Sequence, residues 1–209
     1  MTRKYTAVVT GASSGIGEAI YWRLRQDPSF SEVIGLSRRG PDLQVDLADP
    51  APWVFPLPPT IDLLVNCAGI MPFEESRSVF DVNFWGPVRL VERSLPNLGG
   101  AHGCVINVAS VSGMVADADL PIYAASKAAL ISYTKSCAKK YAPVIRFNAI
   151  SPGFFKTNLV PGEVPQELVD TIPLGYVEEP SRVCDVVMLL FNNPYFTGAN
   201  IVIDGGVSL

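Results

Sequence analysis

The sequence predicts an α/β fold: a Rossmann-like, doubly wound parallel sheet of about seven strands, with helices on both faces, in a single domain. Three observations predict it. Short apolar, β-rich runs alternate with helical patterns along the chain. The first run feeds a glycine loop that opens a helix, the context a dinucleotide-binding turn requires. The 209 residues suffice for one sizeable domain with a substantial core, and no internal repeat, low-complexity tract or linker marks a second.

Tyr5 to Thr10 is nearly continuous and apolar, as for a strand buried on both faces. It runs into Gly11-Ala12-Ser13-Ser14-Gly15-Ile16-Gly17, and then a helix with Ile16, Ala19, Ile20 and Leu24 on one side that ends at Asp27-Pro28. The glycines allow a tight turn and close approach to a pyrophosphate, and the helix N-terminus offers N–H groups to it. Glu32 to Ser37 is the second strand. It ends in Ser37-Arg38-Arg39, two guanidiniums suited to a ribose 2′-phosphate, with no carboxylate to bind a 2′-hydroxyl in its place. NADP is expected over NAD; the alternative is a pair of solvated surface arginines. Leu43 to Asp46 is a third short strand, after which Asp46 and Leu47 could meet an adenine. Between Ala48 and Thr60 five prolines exclude a full helix, so this crossover is pared down.

Ile61 to Asn66 is the fourth strand, leading into Cys67-Ala68-Gly69. A long helical pattern runs from Ser76 to Leu98, interrupted at Gly86-Pro87. Pro87 lacks the N–H that would bond Asn83 C=O, so a break there leaves that carbonyl and the Asn83 amide for a water. Gly103 to Ala109 is the fifth strand, with Ser110 at its end. A helical pattern from Leu120 to Ala142 follows, and then a sixth strand, Val144 to Ile150, ending in Ser151-Pro152-Gly153. Residues 153–180 are proline-punctuated and amphipathic (Phe154, Phe155, Leu159 and Val160 at the start), a composition that suits a lid. A helix from Ser181 to Asn192 and a last strand, Asn200 to Ile203, complete the pattern.

Composition excludes several classes. The net charge is −4 with Lys and Arg scattered, which gives no nucleic-acid surface. The four cysteines form no C-x-x-C pair and His102 is the only histidine, so no metal is expected. No apolar run approaches the ~20 residues of a membrane span. The basic start, Met1 to Lys4, leads into a run too short for a signal peptide, and a cytoplasmic protein is expected.

Within the predicted helix from Leu120, Tyr123 and Lys127 are four residues apart and share a face. A phenol titrates at about 10, and a fixed positive charge nearby favours the phenolate, so the pair has the makings of a general acid. On spacing alone, an aromatic ring packed on a lysine stem is the better reading of the pair.

Taken in order, these motifs resemble the short-chain dehydrogenase/reductase family over almost the whole chain. Thr10-Gly11-x-x-x-Gly15-Ile16-Gly17 is similar to its cofactor fingerprint. Asn66-Cys67-Ala68-Gly69 resembles Asn-Asn-Ala-Gly, with cysteine in place of the second asparagine. Asn83, Ser110, Tyr123 and Lys127 match its catalytic tetrad. Pro152-Gly153 with Thr157 resembles its nicotinamide-positioning segment, and Thr197-Gly198 with Asp204-Gly205-Gly206 its terminal strand motif. The resemblance implies hydride transfer between a nicotinamide and a carbonyl or alcohol. Tyr123 would be the proton donor, Lys127 would lower its pKa and bind the ribose, Ser110 would align the carbonyl oxygen, and Asn83 would hold a water. The implied cofactor contacts are Gly11, Ser13, Ser14, Gly15, Ile16, Gly17, Ser37, Arg38, Arg39, Asp46, Leu47, Asn66, Ala68, Gly69, Tyr123, Lys127, Pro152, Gly153 and Thr157.

The resemblance also implies a homodimer or homotetramer paired through the two long helices, and a small-molecule carbonyl or alcohol substrate. Met71, Phe73, Val111, Met114, Phe154 and Phe155 are candidates to line the pocket, core packing being the alternative for each. The segments before the fourth strand, between Gly69 and Asn83, and in the lid are shorter than is usual in the family. Two other readings remain: a non-catalytic dinucleotide-binding regulatory or scaffold protein with this fold, and an epimerase or dehydratase of the extended group. The second needs a larger C-terminal domain, for which the chain has no room.

Overall fold

The computed structural model describes residues 3–49, 51, 53–71, 77–100, 102–159 and 164–209. Its centre is a seven-stranded sheet: β1 (Tyr5–Thr10), β2 (Phe30–Ser37), β3 (Leu43–Gln44), β4 (Leu63–Asn66), β5 (Cys104–Val108), β6 (Arg146–Pro152) and β7 (Asn200–Ile203). The order across the sheet is β3-β2-β1-β4-β5-β6-β7 and every pairing is parallel. The strand order reverses beside β1, which opens a crevice at the carboxyl ends of β1 and β4, the usual ligand position in such sheets.

Both faces are covered, and the period of two along each strand decides which residue faces which layer. Ala7, Val9, Leu63, Val65 and Ile106 pack with α1 (Gly15–Arg25) and with Val183, Val187 and Leu190 farther along the chain. Val8, Leu64, Val105 and Phe147 point the other way, onto Leu90, Val91, Leu98, Cys137 and Ala138. The helix from Arg77 is not continuous. A single turn, α2 (Arg77–Phe80), leads into a π-helical segment, Asp81–Trp85, and then α3 (Gly86–Gly99). The Gly86 N–H reaches Asp81 O, five residues back instead of four. Pro87 falls in the first turn of α3, where a missing N–H is tolerated. The expected interruption is therefore a change of hydrogen-bond register, a feature that often marks functional sites.

A 3₁₀ turn, Val111–Gly113, follows β5. It has no periodic signature in the sequence and is capped by Ser110 Oγ, which accepts the Ser112 N–H at 3.2 Å. The long helix α4 (Pro121–Tyr141) comes next, then the single turn α5 (Gln166–Val169) and α6 (Ser181–Asn192). The two stems of the 153–180 segment are tied together. Phe155 bridges Glu178, the Lys156 N–H donates to Glu178 O at 2.9 Å, and Lys156 Nζ lies 2.6 Å from Glu179 Oε1. Val160, at the apolar start of this segment, lies outside the described residues, as do Phe73 and Ser76. The third strand is two residues long, not four, because the backbone leaves the sheet once the Val45 N–H has bonded Ser37 O. Among the described residues between β3 and β4 there is no helix. The proline-rich stretch lies against α3 instead, where Arg93 sits 4.3 Å from the Phe55 ring centroid and the Asn97 amide donates to Pro58 O at 2.6 Å.

Among the described residues no helix is long and apolar enough to cross a membrane, and no group of three or more His, Cys, Asp or Glu could hold a metal.

Candidate active site

The glycine loop leaves β1 through Gly11 at φ 72° and enters α1 through Gly15 at φ 58°, conformations that favour glycine. Gly17 has a different reason: a Cβ there would lie 2.3 Å from Gly11 O. The loop is fixed to the neighbouring strand by Thr10 Oγ1, which accepts the N–H groups of Cys67 and Ala68, each at 3.0 Å. Ser14 caps α1 without a side-chain bond to its amides, and Ser13 and Ser14 are exposed. Uncapped N–H groups at a helix start, over a cradle that any Cβ would fill, fit a phosphate. Thr157 approaches the loop from the far side: a Cβ on Gly15 would meet its side chain at 3.1 Å. A cavity of about 480 Å³ opens beside this contact, lined by Gly15, Glu18, Trp22, Lys156, Thr157 and Ser181 among others.

At the end of β2 the Ser37 hydroxyl is buried without a partner, and Arg38 and Arg39 are exposed. An orphaned hydroxyl beside two guanidiniums fits an anionic group. A carboxylate does stand near this strand, contrary to expectation: Asp42 accepts the Gly35 N–H at 2.7 Å and faces the Tyr21 phenol, two residues back from Ser37. Asp46 is exposed and Leu47 buried just beyond β3. Asn66, an expected cofactor contact at the end of β4, turns its side-chain amide into the protein. It is 1% exposed, and its amide donates to Asn107, whose own amide donates to Thr134 of α4, each at 2.8 Å. This polar chain fastens the middle of the sheet to the helix that carries Tyr123. Gly153 lies against Asp204, which a Cβ would meet at 2.8 Å, so the end of β6 and the turn after β7 are pressed together.

The tetrad residues converge. Tyr123 and Lys127 share one face of α4, with Nζ 5.7 Å from the ring centroid. Ser110, at the end of β5, faces the phenol. Gly69 and Gly113 make room: a Cβ on Gly69 would stand 3.3 Å from Lys127 Nζ and 3.4 Å from Asn83 Oδ1, and one on Gly113 would strike the Lys127 backbone at 2.7 Å. Asn83 is fully buried in the π segment, but its amide is not free for a water. Oδ1 accepts the Ile70 N–H at 2.9 Å, and Nδ2 donates to Ile70 O at 3.0 Å and to Ser126 Oγ at 3.2 Å. The side chain stitches the loop after β4 to α4, which leaves only the backbone carbonyl for the role first expected.

The electrostatics also differ from expectation. Burial raises the Tyr123 phenol, the Ser110 hydroxyl lowers it, and Asp117 and Cys67 raise it further. Lys127 is 3% exposed and is pushed down to about 8 by burial, with Nζ donating to Val108 O at 3.0 Å. A desolvated ammonium is a weaker pull on the phenol than spacing alone suggests. Asp117 and Cys67 were not identified from the sequence. Asp117 sits in an irregular loop, accepting the Leu120 N–H at 3.0 Å, and Cys67 reads as a packing residue. Its thiol is pushed up to about 12 by burial, which disfavours the thiolate. Of the candidate pocket residues, Val111 and Phe155 are buried, Met71 is half-buried and Met114 is exposed. Phe154 and Phe155 line a separate cavity of about 310 Å³ with Leu174, Tyr176 and Ile203.

A family model described as enoyl-(acyl carrier protein) reductase matches residues 57–208. Carbonyl reductase family member 4 of Danio rerio is 35% identical over 159 residues, which cover 72% of this chain and 67% of that protein. (3R)-3-hydroxyacyl-CoA dehydrogenase of Homo sapiens is 30% identical over 252 positions, covering 98% of this chain and 96% of the relative. The alignment exceeds the 209 residues of this chain, so the human protein carries segments that are missing here. In three dimensions, 4-hydroxyisoleucine dehydrogenase complexed with NADH superposes with a TM-score of 0.81 at 26% identity, over 98% of each chain.

Proposed function

This chain belongs to the short-chain dehydrogenase/reductase family, and from that premise we propose that it is an NADPH-dependent reductase of a small-molecule carbonyl, working in reverse as an alcohol dehydrogenase. The observation that carries the reading is the convergence of Ser110, Tyr123 and Lys127 at the strand ends beside a glycine cradle that no side chain could enter. The nucleotide would be held by the N–H groups at the start of α1, by Ser37 and Arg38 at the adenosine ribose, and by Gly153 and Thr157 at the nicotinamide end; when bound, it supplies or accepts the hydride.

The side chains manage the proton and the oxygen. Ser110 donates to the carbonyl oxygen and aligns it, one preorganised donor where negative charge develops. Tyr123 delivers its proton to that oxygen in reduction and takes it back in oxidation. A phenol kept protonated by burial is already in the form that reduction needs. Lys127 lends positive charge and Nζ–H donors beside it, and Asn83 fixes the loop from which Gly69 clears the approach. The preference for NADPH rests on Arg38, Arg39 and the unpartnered Ser37 hydroxyl; the relative that holds NADH is the counterexample to weigh. A cytoplasmic dimer or tetramer paired through the exposed sides of α3 and α4 completes the proposal.

The test is oxidation of NADPH and of NADH, followed at 340 nm, with a panel of ketones, aldehydes and 3-oxoacyl thioesters. Turnover with NADPH well above NADH supports the reading. Tight nucleotide binding with no turnover on any carbonyl would overturn it in favour of a sensor or scaffold.

A further inference from the structure

The described residues of the crossover between β3 and β4 form no helix, and its first residues stand where the cofactor reading puts the adenine end. The Val45 N–H bonds Ser37 O at 3.0 Å, so Asp46 and Leu47 follow directly beside the Ser37–Arg38 turn. Three contacts fix this short wall: a side chain 42 residues on, a ring from the crossover itself, and the seating of Leu47 at the start of α3. Arg89, in the first turn of α3, donates from one terminal nitrogen to Leu47 O, from the other to Asp49 O at 2.7 Å, and from Nε to Trp85 O at 3.3 Å. The Trp53 indole donates to Asp46 O at 3.2 Å, and its ring lies 5.0 Å from the Arg89 guanidinium carbon. The Leu47 side chain fills a notch at Gly86, where a Cβ would come within 2.9 Å of Leu47 Cβ.

The chemistry of Arg89 is unusual for a surface arginine. The guanidinium binds three backbone carbonyls, and no salt bridge to a carboxylate involves it among the described residues. A planar fork can hold two carbonyls of a bent backbone at a fixed angle; a lysine ammonium cannot. We infer that Arg89 and Trp53 are positioning residues for the adenine end of the nucleotide site, holding the backbone of Asp46, Leu47 and Asp49 as the wall on which that ring packs. Their bonds to successive carbonyls of the wall, joined by the contact of guanidinium on indole, stiffen a crossover whose described residues form no helix. The inference rests on the cofactor reading above.

The experiment uses Arg89→Lys, which keeps the charge and loses the fork, and Trp53→Phe, which keeps a ring and loses the indole N–H. The probe is ADP-ribose, which carries the adenine end without a nicotinamide. Its Kd is measured by calorimetry, next to the Kd and KM for NADPH, kcat at saturating NADPH, and the thermal midpoint. Arg89→Lys is expected to weaken ADP-ribose about 10–100-fold, the worth of a charge-assisted hydrogen bond. Trp53→Phe should weaken it by about threefold to tenfold, the worth of a neutral one. In both, KM for NADPH rises while kcat at saturation is unchanged. Should Arg89→Lys fail to fold, Trp53→Phe carries the test alone. An unchanged Kd for ADP-ribose overturns the inference, as does a kcat that falls in step with Kd. Failure of the wild-type protein to bind ADP-ribose or NADPH would overturn the cofactor reading, and this inference with it.

Discussion

Lys127 is 3% exposed, donates to Val108 O, and enters no ion pair among the described residues. Burial pushes its pKa from the ordinary 10.5 down to about 8, so the folded chain holds this proton less tightly than the unfolded one. Below pH 8 the buried charge costs about 3 kcal/mol. Between pH 8 and pH 10 the unfolded state binds more protons at this site, so stability rises with pH through that window. Urea denaturation of wild type and of Lys127→Met should show the wild type gaining about 2 kcal/mol on the variant between pH 8 and pH 10. A constant difference would mean that the ammonium finds more water than its burial implies. Tyr123, its phenol raised, titrates above this window. Tyr123→Phe is expected to lower carbonyl reduction by about 10²–10⁴-fold, the usual worth of a general acid, while NADPH binding followed by fluorescence stays as in wild type.

The π segment between α2 and α3 exists to place Asn83, and the Asn83 amide joins three elements. Asn83→Ala leaves Ile70 with an unpaired N–H and C=O in a half-buried setting, and Ser126 Oγ without its buried donor. A loss of about 2–4 kcal/mol of stability is expected, on top of lost turnover. Ser110→Ala removes a cap on a 3₁₀ turn and the hydroxyl facing the Tyr123 phenol, so about 1–2 kcal/mol should go with it although activity falls as far. Denaturation midpoints of the two variants separate stitching from chemistry. Here the limits of reading a chain are visible in particular residues. The helix Ser181–Asn192 and the strand Asn200–Ile203 have the predicted bounds, because proline and polar turn residues frame them. The glycine loop and the Tyr123–Lys127 pairing on one helix face were legible because local spacing carries them, whereas Asn83 and Ser110 were assigned catalytic roles only through the family resemblance. The partners of Asn83 and Asn66 were not, because each is fixed by contacts 13 and 41 residues away. The pKa directions were missed because they depend on burial, which spacing does not report.

Across the whole molecule, the outer side of α4 carries Ala125, Ala128, Ser132 and Ser136 at the surface, small enough for another helix to approach closely, with the apolar Ile122 at one end. Trp85, half exposed, stands at the start of the neighbouring helix. Sizing with light scattering should find a dimer or tetramer, and Ala128→Arg should shift the population toward monomer with the far-ultraviolet spectrum unchanged. A monomeric wild type would show that these helices face solvent. The strand order has a further consequence, for the manner in which the chain assembles. β1 lies near the middle of the sheet, β2 and β3 extend it to one side, β4 returns to pair with the other edge of β1, and β5 to β7 then follow, each beside the strand made before it. During synthesis a new strand therefore meets a neighbour that has already emerged from the ribosome, and no gap has to be held open for a later arrival. A parallel sheet, with its long-range pairings, is slow to form from a finished chain; laid down outward from its own first strand, it can grow at the pace of translation.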